Sequence, residues 1–543
     1  MKLKLVLLSV PALIMIIFFV SFFSARGTVD KNINQLVMGS IGDASYLNPV
    51  LSQDSASSDI NSFVFNGLLK YDKDLNIKGD LALSWKVIER NKPVIVFILR
   101  KGVMWHDGVE FTSKDVKFTF EKIMDKKTNT VRRSDYELVE GIKLVDDYKL
   151  EVRYSEPFSP GLESWMIGIL PEHILAGADI NTTEFNRNPV GTGPFRFREW
   201  KSDEKIVLEA NEDYFEGRPF LDRIIYRIIP ETSLSEVELL TGGIDYSSVY
   251  PRQYERIKRN NNFEVYTYPS RGYSYIGYNL QNPIFNDKRV RQALTFALDR
   301  KKIVDHVLYG HGVLATGPFP GYMWYCNTEI PPYPYSVERA RELLASAGWV
   351  DSDGDGVLDK EGKRFEFELI TNSGNDIRRD VAVLAQRQWK EIGVVAIPRF
   401  YEWATFLDRY VNPRNFDACV LGWSLGVDPD QYSIWHSSQI KDGFNSISYR
   451  NEEVDNLLVA GRREYEKGKR KEIYHRIHEI LAEEQPYTFL FVGEALPVLN
   501  KKFVVVEYGG GGKQTFHPVK IEKAGLLYDL IKWYVPGRPV MAK

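Results

Sequence analysis

Several groups of residues in this chain have types and spacings that can do chemistry. Asp351, Asp353, Asp355, Gly356 and Asp359 fall at the first, third, fifth, sixth and ninth positions of a calcium loop, where alternating hard oxygens wrap a large divalent cation and glycine makes the sharp turn. The twelfth position is Gly362, so the bidentate glutamate is missing. The stretch therefore reads either as a structural calcium site or as an acidic, solvent-exposed turn. His106 beside Asp107 has the composition of an acid–base pair, but Asp107-Gly108 is also a tight-turn signal and no nucleophile is placed with it. His475 and His478, one helical turn apart, can hold zinc; with no third ligand at a telling spacing they read as a solvated helix face. Gly191-x-Gly193 lacks a third glycine and leads into a strand, which makes it a backbone turn between domains and not a dinucleotide site. Residues 421–431, LGWSLGVDPDQ, follow an apolar run and end in an Asp-Pro-Asp turn, so a buried strand delivers the Trp423 ring to a loop where it can line a pocket. No nucleophile elbow, phosphate loop or zinc-protease motif occurs, and the expectation is a binder and not an enzyme.

The elements that must position these residues alternate between strand and helix, which predicts an α/β fold. Residues 36–41 read as a strand, 42–53 as a polar loop, and 60–71 carry apolar residues at helical spacing. A strand at 94–100 precedes a helix at 113–124 that Thr112 or Ser113 can cap. Strand 273–280 feeds a helix over 288–309, and helix 337–347 ends at Gly348 as a left-handed cap. Strand 365–371, helix 380–393 and strand 394–401 repeat the rhythm, and helix 464–484 precedes strand 488–492.

At 543 residues the chain exceeds the size of one core, so two or three domains are expected. A formal net charge of −3 gives no electrostatic case for nucleic acid. Thirty Tyr, thirty Phe and eleven Trp supply flat surfaces for cores and for polar ligands. Lys2 and Lys4 precede an apolar run over 5–23, which reads as an export signal, either a signal peptide cleaved near Ala25 and Gly27 or an uncleaved membrane anchor over 1–27. Lysines on the short side place the remaining chain outside the cytoplasm. Cys326 and Cys419 permit one disulfide; Cys419 lies in an apolar run that suits a buried free thiol, and the pairing stays open.

Taken together, WHDGVEFTSKDVKFTFEKI (105–123), NPVGTGPFRFREW (188–200), PIFNDKRVRQALTFALDRKKIV (283–304), RARELLASAGW (339–349) and GWSLGVDPD (422–430) resemble bacterial extracellular solute-binding protein family 5, the oligopeptide/dipeptide/nickel class that serves ABC importers. The resemblance implies a type II periplasmic-binding-protein fold, two lobes with a hinge and an extra subdomain inserted in lobe one. Residues 30–62, 187–270 and 487–543 would form lobe one, 63–186 the inserted subdomain and 271–486 lobe two. It implies a monomer at the periplasmic or extracytoplasmic face of the membrane that captures a small solute, an oligopeptide first of all, and hands it to membrane permease subunits, with no cofactor. Carried over, Gln53, Asp54 and Ser55 in lobe one and Trp423, Ser424 and Leu425 in lobe two would bond the ligand backbone, with Tyr273, Tyr275 and Trp403 lining side-chain pockets. Arg378 and Arg379, after the strand ending at Thr371, are of the type that can hold a carboxylate, with surface solvation the expected role of at least one of them. One departure stands out: peptide binders of this family place an aspartate shortly after Gly-Trp to hold the ligand ammonium, and Leu425 and Gly426 occupy that region here. The departure leaves room for an oligosaccharide, opine or metal chelate. An exported enzyme or a surface sensor or adhesin is the other class of reading.

Overall fold

A computed structural model of the chain describes residues 33–89, 91–508 and 513–538. The expected export segment at 1–27 lies outside them. Two seven-stranded sheets dominate. The first runs Phe263–Val265, Pro497–Asn500, Tyr246–Ser248, Gln35–Ser40, Arg223–Ile228, Lys205–Ala210 and Phe195–Lys201. The central strand Gln35–Ser40 lies parallel to two neighbours, with Leu36, Val37 and Met38 buried, so its apolar run is explained by burial on both faces. The second sheet runs Tyr268–Pro269, Tyr487–Ala495, Gly272–Tyr278, Ala418–Ser424, Glu366–Asn372 and Val395–Tyr401, with Gly312–Leu314 also pairing Tyr487–Ala495.

These pairings move one expected boundary. The returning segment placed at 487 in lobe one begins with a strand, Tyr487–Ala495, that is hydrogen-bonded into the second sheet, and the chain re-enters the first sheet only at Pro497–Asn500. Tyr268–Pro269 likewise already belongs to the second sheet.

Between Phe65 and Phe185 the chain builds an antiparallel sheet ordered Ala82–Ile88, Val94–Leu99, Lys149–Tyr154 and Val139–Asp146, against which helix Ser113–Met124 packs. Its apolar side chains, Phe97, Trp105 and Trp165 among them, are continuous with Leu36, Phe195 and Trp533 in one core, so this inserted unit is fused to the first lobe. The second sheet is covered on both faces. Trp349, Phe367 and Trp389 pack on one side, and Trp435, Tyr474 and Tyr487 on the other.

Local chemistry sets the element ends. Thr112 and Asp115 form a reciprocal capping box at the start of Ser113–Met124. Gly348 ends Val337–Ser346 with φ +87°. The helix expected over 288–309 divides, because Asp299 caps a new start at Arg300–Lys302 that runs into a π-turn. The helix expected from 464 starts at Lys467, capped by Glu466, and a separate helix, Glu452–Arg463, precedes it.

The lobes are joined by two crossovers that lie side by side, with Val265 opposite Val498, Tyr268 opposite Ala495, and Tyr266 N donating to Pro497 O at 3.0 Å. The glycine turn at 191–193 has a different duty within the first lobe. His106 accepts from Gly191 N through Nδ1 at 3.2 Å, and its Nε2 meets Gly193 O at 3.0 Å. Burial pushes His106 down to about 4, so the ring is a neutral staple and not an acid–base group. Asp107 pairs instead with His173 at 2.7 Å. A Cβ at Gly191 would fall 1.9 Å from Val64 O, whereas one at Gly177 meets nothing within 4 Å. Gly191→Ala is therefore expected to cost about 2–3 kcal/mol in urea unfolding, with Gly177→Ala near neutral; equal midpoints for the two variants would show the turn to be slack.

Candidate ligand cleft

The strand Ala418–Ser424 is paired along its whole length with Gly272–Tyr278 on one side. On the other side it meets Glu366–Asn372 only at Ala418 and Cys419, after which Thr371 Oγ1 takes Val420 O at 2.8 Å. Among the described residues no strand pairs with the other edge of Leu421–Ser424, along which Leu421 is buried, Gly422 and Trp423 are half-buried and Ser424 is exposed. Exposed edges invite strand addition. Trp423 is half-buried at this edge, stacked 6.4 Å from Tyr275, edge-on to Phe444 at 5.4 Å, with Nε1 3.4 Å from the Tyr487 hydroxyl. Ser424 is exposed and Leu425 half-buried, its N–H held by Arg271 O at 2.8 Å.

Arg378 lies beside the same edge. Its NH1 donates to Asn372 Oδ1 at 2.7 Å, the guanidinium lies 5.7 Å from the Trp403 ring, and NH2 is 3.7 Å from where a Cβ on Gly422 would stand. Among the described residues no carboxylate pairs with it, whereas its neighbour Arg379 is neutralised by Asp376 at 2.8 Å and by Asp380. Burial lowers the Arg378 guanidinium from its ordinary value. Trp403 comes against the other lobe, its Cδ1 3.1 Å from the Cβ position of Gly42.

The facing wall comes from the loop after the first strand. Gln53 and Asp54, with Tyr46 and Asn181, line a cavity of about 160 Å³ closed from the second lobe by Leu407, Asp408 and Asn412. A wider opening of about 520 Å³ continues past Asp43, Trp200, Glu402 and Asp408. Asp54 lines this space but has both oxygens engaged in capping helix Ser55–Val64, at 2.8 Å to Ser57 N and 2.6 Å to Ser57 Oγ. Ser55 is the exposed first residue of that helix. Asp59 lies one turn further along the same helix. Its surface is open, yet the walls crowd it, and desolvation followed by the Asp54 charge pushes it up to about 6 against a Tyr226 hydrogen bond. Asp408 is raised for the same reasons, by desolvation, Asp54 and Glu402.

Tyr273 and Tyr275 depart from their expected role. They are 3% and 0% exposed and sit in the second-lobe core, Tyr275 stacked 3.8 Å on Tyr487, so they back the Trp423 ring and do not line the space in front of it. Strand alternation could not tell these faces apart, because the strand is buried on both. The Asp-Pro-Asp turn is structural as expected, and is held by two arginines that sequence reasoning missed. Arg470 grips Asp428 at 2.6 and 2.7 Å, and Arg462 meets Asp430 at 2.8 Å. The acidic loop gathers Asp351, Asp353 and Asp355, whose oxygens lie within 4.8 Å of one another. Asp359 is not in the group, since its oxygens accept from Ser352 N and Oγ at 2.9 and 2.7 Å. Asp351 is occupied by Gly354 N and Gly356 N, and Asp355 by Arg364. His478 is fully buried, contrary to a solvated face: Asn327 N donates to Nδ1 at 3.2 Å and Thr316 Oγ1 lies 3.1 Å from Nε2. Cys326 and Cys419 are both buried free thiols, pushed up to about 11 and about 12 by burial.

Two α/β lobes, paired crossovers and a polar seam containing an open strand edge define a two-lobed, type II binding protein that closes around a solute. The family described as bacterial extracellular solute-binding proteins, family 5 (middle), matches residues 76–444, and the chain belongs to it. The oligopeptide-binding protein AppA of Bacillus subtilis is 40% identical over 517 residues, 92% of this chain and 91% of that protein. Its structure in complex with a nonapeptide superposes with a TM-score of 0.86 at 38% identity, covering 92% of this chain and 98% of that one. NikZ from Campylobacter jejuni, solved in complex with Ni(L-His), gives a TM-score of 0.81 at 29% identity, with coverages of 92% and 99%.

Two outcomes follow from these side chains. His478 has a folded value near 4 against 6.5 when free, so its contribution is fully present above 6.5 and is lost as pH falls toward 4. Between pH 7 and pH 5 the wild type should lose about 2 kcal/mol more stability than His478→Gln; identical pH profiles would mean the imidazole is protonated in place. The acidic turn is satisfied by its own amides and by Arg364, so the melting temperature should agree within about 1 °C in EDTA and in millimolar calcium. A rise with calcium that Asp353→Asn abolishes would assign an ion to the loop.

Proposed function

We propose that the protein captures an oligopeptide in extended form between its lobes outside the cytoplasm and presents it to the membrane permease of an ABC importer. The observation that carries this reading is the edge of Leu421–Ser424, which no strand among the described residues pairs with. A peptide backbone satisfies such an edge by strand addition, whatever its side chains, and the flanking Trp423 and Trp403 rings offer area without demanding one sequence. Arg378 serves as the carboxylate anchor, since a planar guanidinium with no counter-ion among the described residues binds carboxylate through paired hydrogen bonds. Gln53 and Ser55 complete the contact from the first lobe. Likeness to an oligopeptide-binding protein at 40% identity supports the peptide class. Asp428 is committed to Arg470, so it does not replace the aspartate absent at Leu425 and Gly426, and selection of the ligand's amino terminus falls to other groups.

The test uses the chain without its first 27 residues, and titrates a mixed peptide pool by calorimetry while mass spectrometry identifies what co-purifies. Peptides with a free carboxylate should bind about tenfold tighter than their amides, and Arg378→Met should erase that difference. No heat with any peptide, together with a sugar, opine or metal chelate in the spectrum, would replace the peptide assignment.

A further inference from the structure

The inserted subdomain reaches the second lobe through a cluster set apart from the strand edge. Arg462, on helix Glu452–Arg463, has a side chain only 5% exposed. Its guanidinium lies 2.8 Å from Asp430 and 3.5 Å from Asp135, donates to Ser134 O at 2.8 Å, and covers the rings of Tyr432 at 3.9 Å and Phe158 at 5.4 Å. Asp430 and Tyr432 lie on the loop that continues from Trp423, whereas Ser134, Asp135 and Phe158 belong to the inserted subdomain. Two neighbours repeat the bridge. Arg463 pairs with Glu156 at 2.5 Å, and the Tyr465 hydroxyl accepts from Phe158 N at 3.1 Å and donates to Phe158 O at 3.3 Å.

The charges make this contact depend on lobe position. With the lobes together, one buried cation stands between two carboxylates, and without it Asp135 and Asp430 would face each other across the seam. With the lobes apart, Arg462 keeps Asp430 and yields Asp135 and Ser134 to water. The interaction therefore favours one arrangement over the other, which is what a closure equilibrium requires of any group that biases it.

We propose that Arg462 is a positioning residue for ligand capture: it clasps the inserted subdomain to the Trp423 loop, so that lobe closure and placement of the ligand-bearing strand edge become one event. The proposal rests on the binding reading above. It touches no ligand atom and acts through the loop.

The experiment compares wild type, Arg462→Met, and the double variant Arg462→Met/Asp135→Asn. Interlobe distances come from spin labels on surface cysteines introduced one per lobe, the native thiols being buried, and affinity from a synthetic nonapeptide with free termini. Arg462→Met should raise the peptide Kd about tenfold, chiefly through faster dissociation, and shift the distance distribution toward the open form. Adding Asp135→Asn should recover part of both, because it removes the repulsion left behind; a purely structural role would lower the melting temperature without that charge-dependent rescue. Unchanged Kd and distances in Arg462→Met, or a double variant no better than the single, overturns the clasp. Should Arg462→Met not fold, Arg463→Met/Tyr465→Phe removes the outer half of the same bridge, and unchanged dissociation there overturns the proposal equally. If the wild type binds no peptide, the peptide reading falls by itself, and the clasp stands or falls on whether Arg462→Met lowers the closed fraction of the ligand-free protein.

Discussion

The structure depends on a constraint that a β-sheet ordinarily avoids: a strand that, among the described residues, is left unpaired along half of one hydrogen-bonding edge. Ala418–Ser424 is tied down completely by Gly272–Tyr278 and released on its other side after Cys419. Such an edge is costly unless something pairs with it, and it is tolerated because the second lobe supplies rigid backing. Tyr275 and Tyr487 stack behind Trp423, with Trp435 tilted against Tyr487, and the following turn is pinned by Arg470 and Arg462. Half of the strand is thus core, and half is a template.

Around that edge the two lobes divide the work. The second lobe carries the template and the unneutralised Arg378. The first lobe and its inserted subdomain carry acidic groups, and among them Asp59 is raised to about 6 by desolvation and then by the Asp54 charge. Glu163, from the inserted unit, is pushed up to about 7 by desolvation and Asp428. The two crossovers at 265–268 and 495–498 let these faces meet without breaking either sheet.

Much of this is legible in the sequence alone. The strand–helix rhythm, the caps at Thr112 and Gly348, and the turn at Asp428-Pro429-Asp430 are written in residues that interact with near neighbours, and the structure places them as read. Errors fell where a local pattern has two tertiary meanings. His475 and His478 share a helical spacing that suits a solvated face or a metal, yet His478 is core because Asn327 and Thr316 arrive from elsewhere to satisfy it. Tyr273 and Tyr275 alternate as a half-open strand would, but both faces of Gly272–Tyr278 are covered. Asp359 matched a ligand position by count and turned instead to Ser352.

By itself the sequence determined the family and the two-lobed α/β architecture, and it drew attention to the stretch around Trp423, because these rest on motifs spread in order along the chain and on short-range periodicity. Only the tertiary structure decided which charges are free. Arg378 and Arg379 are adjacent in the chain, and one is neutralised while the other faces the open edge. Asp428 and Asp430 read as a turn, and their counter-ions lie 42 and 32 residues away on two further helices. A charge is free or committed according to what other parts of the chain bring within a few ångströms of it, and that depends on how the sheets and helices pack in three dimensions, which local sequence does not encode.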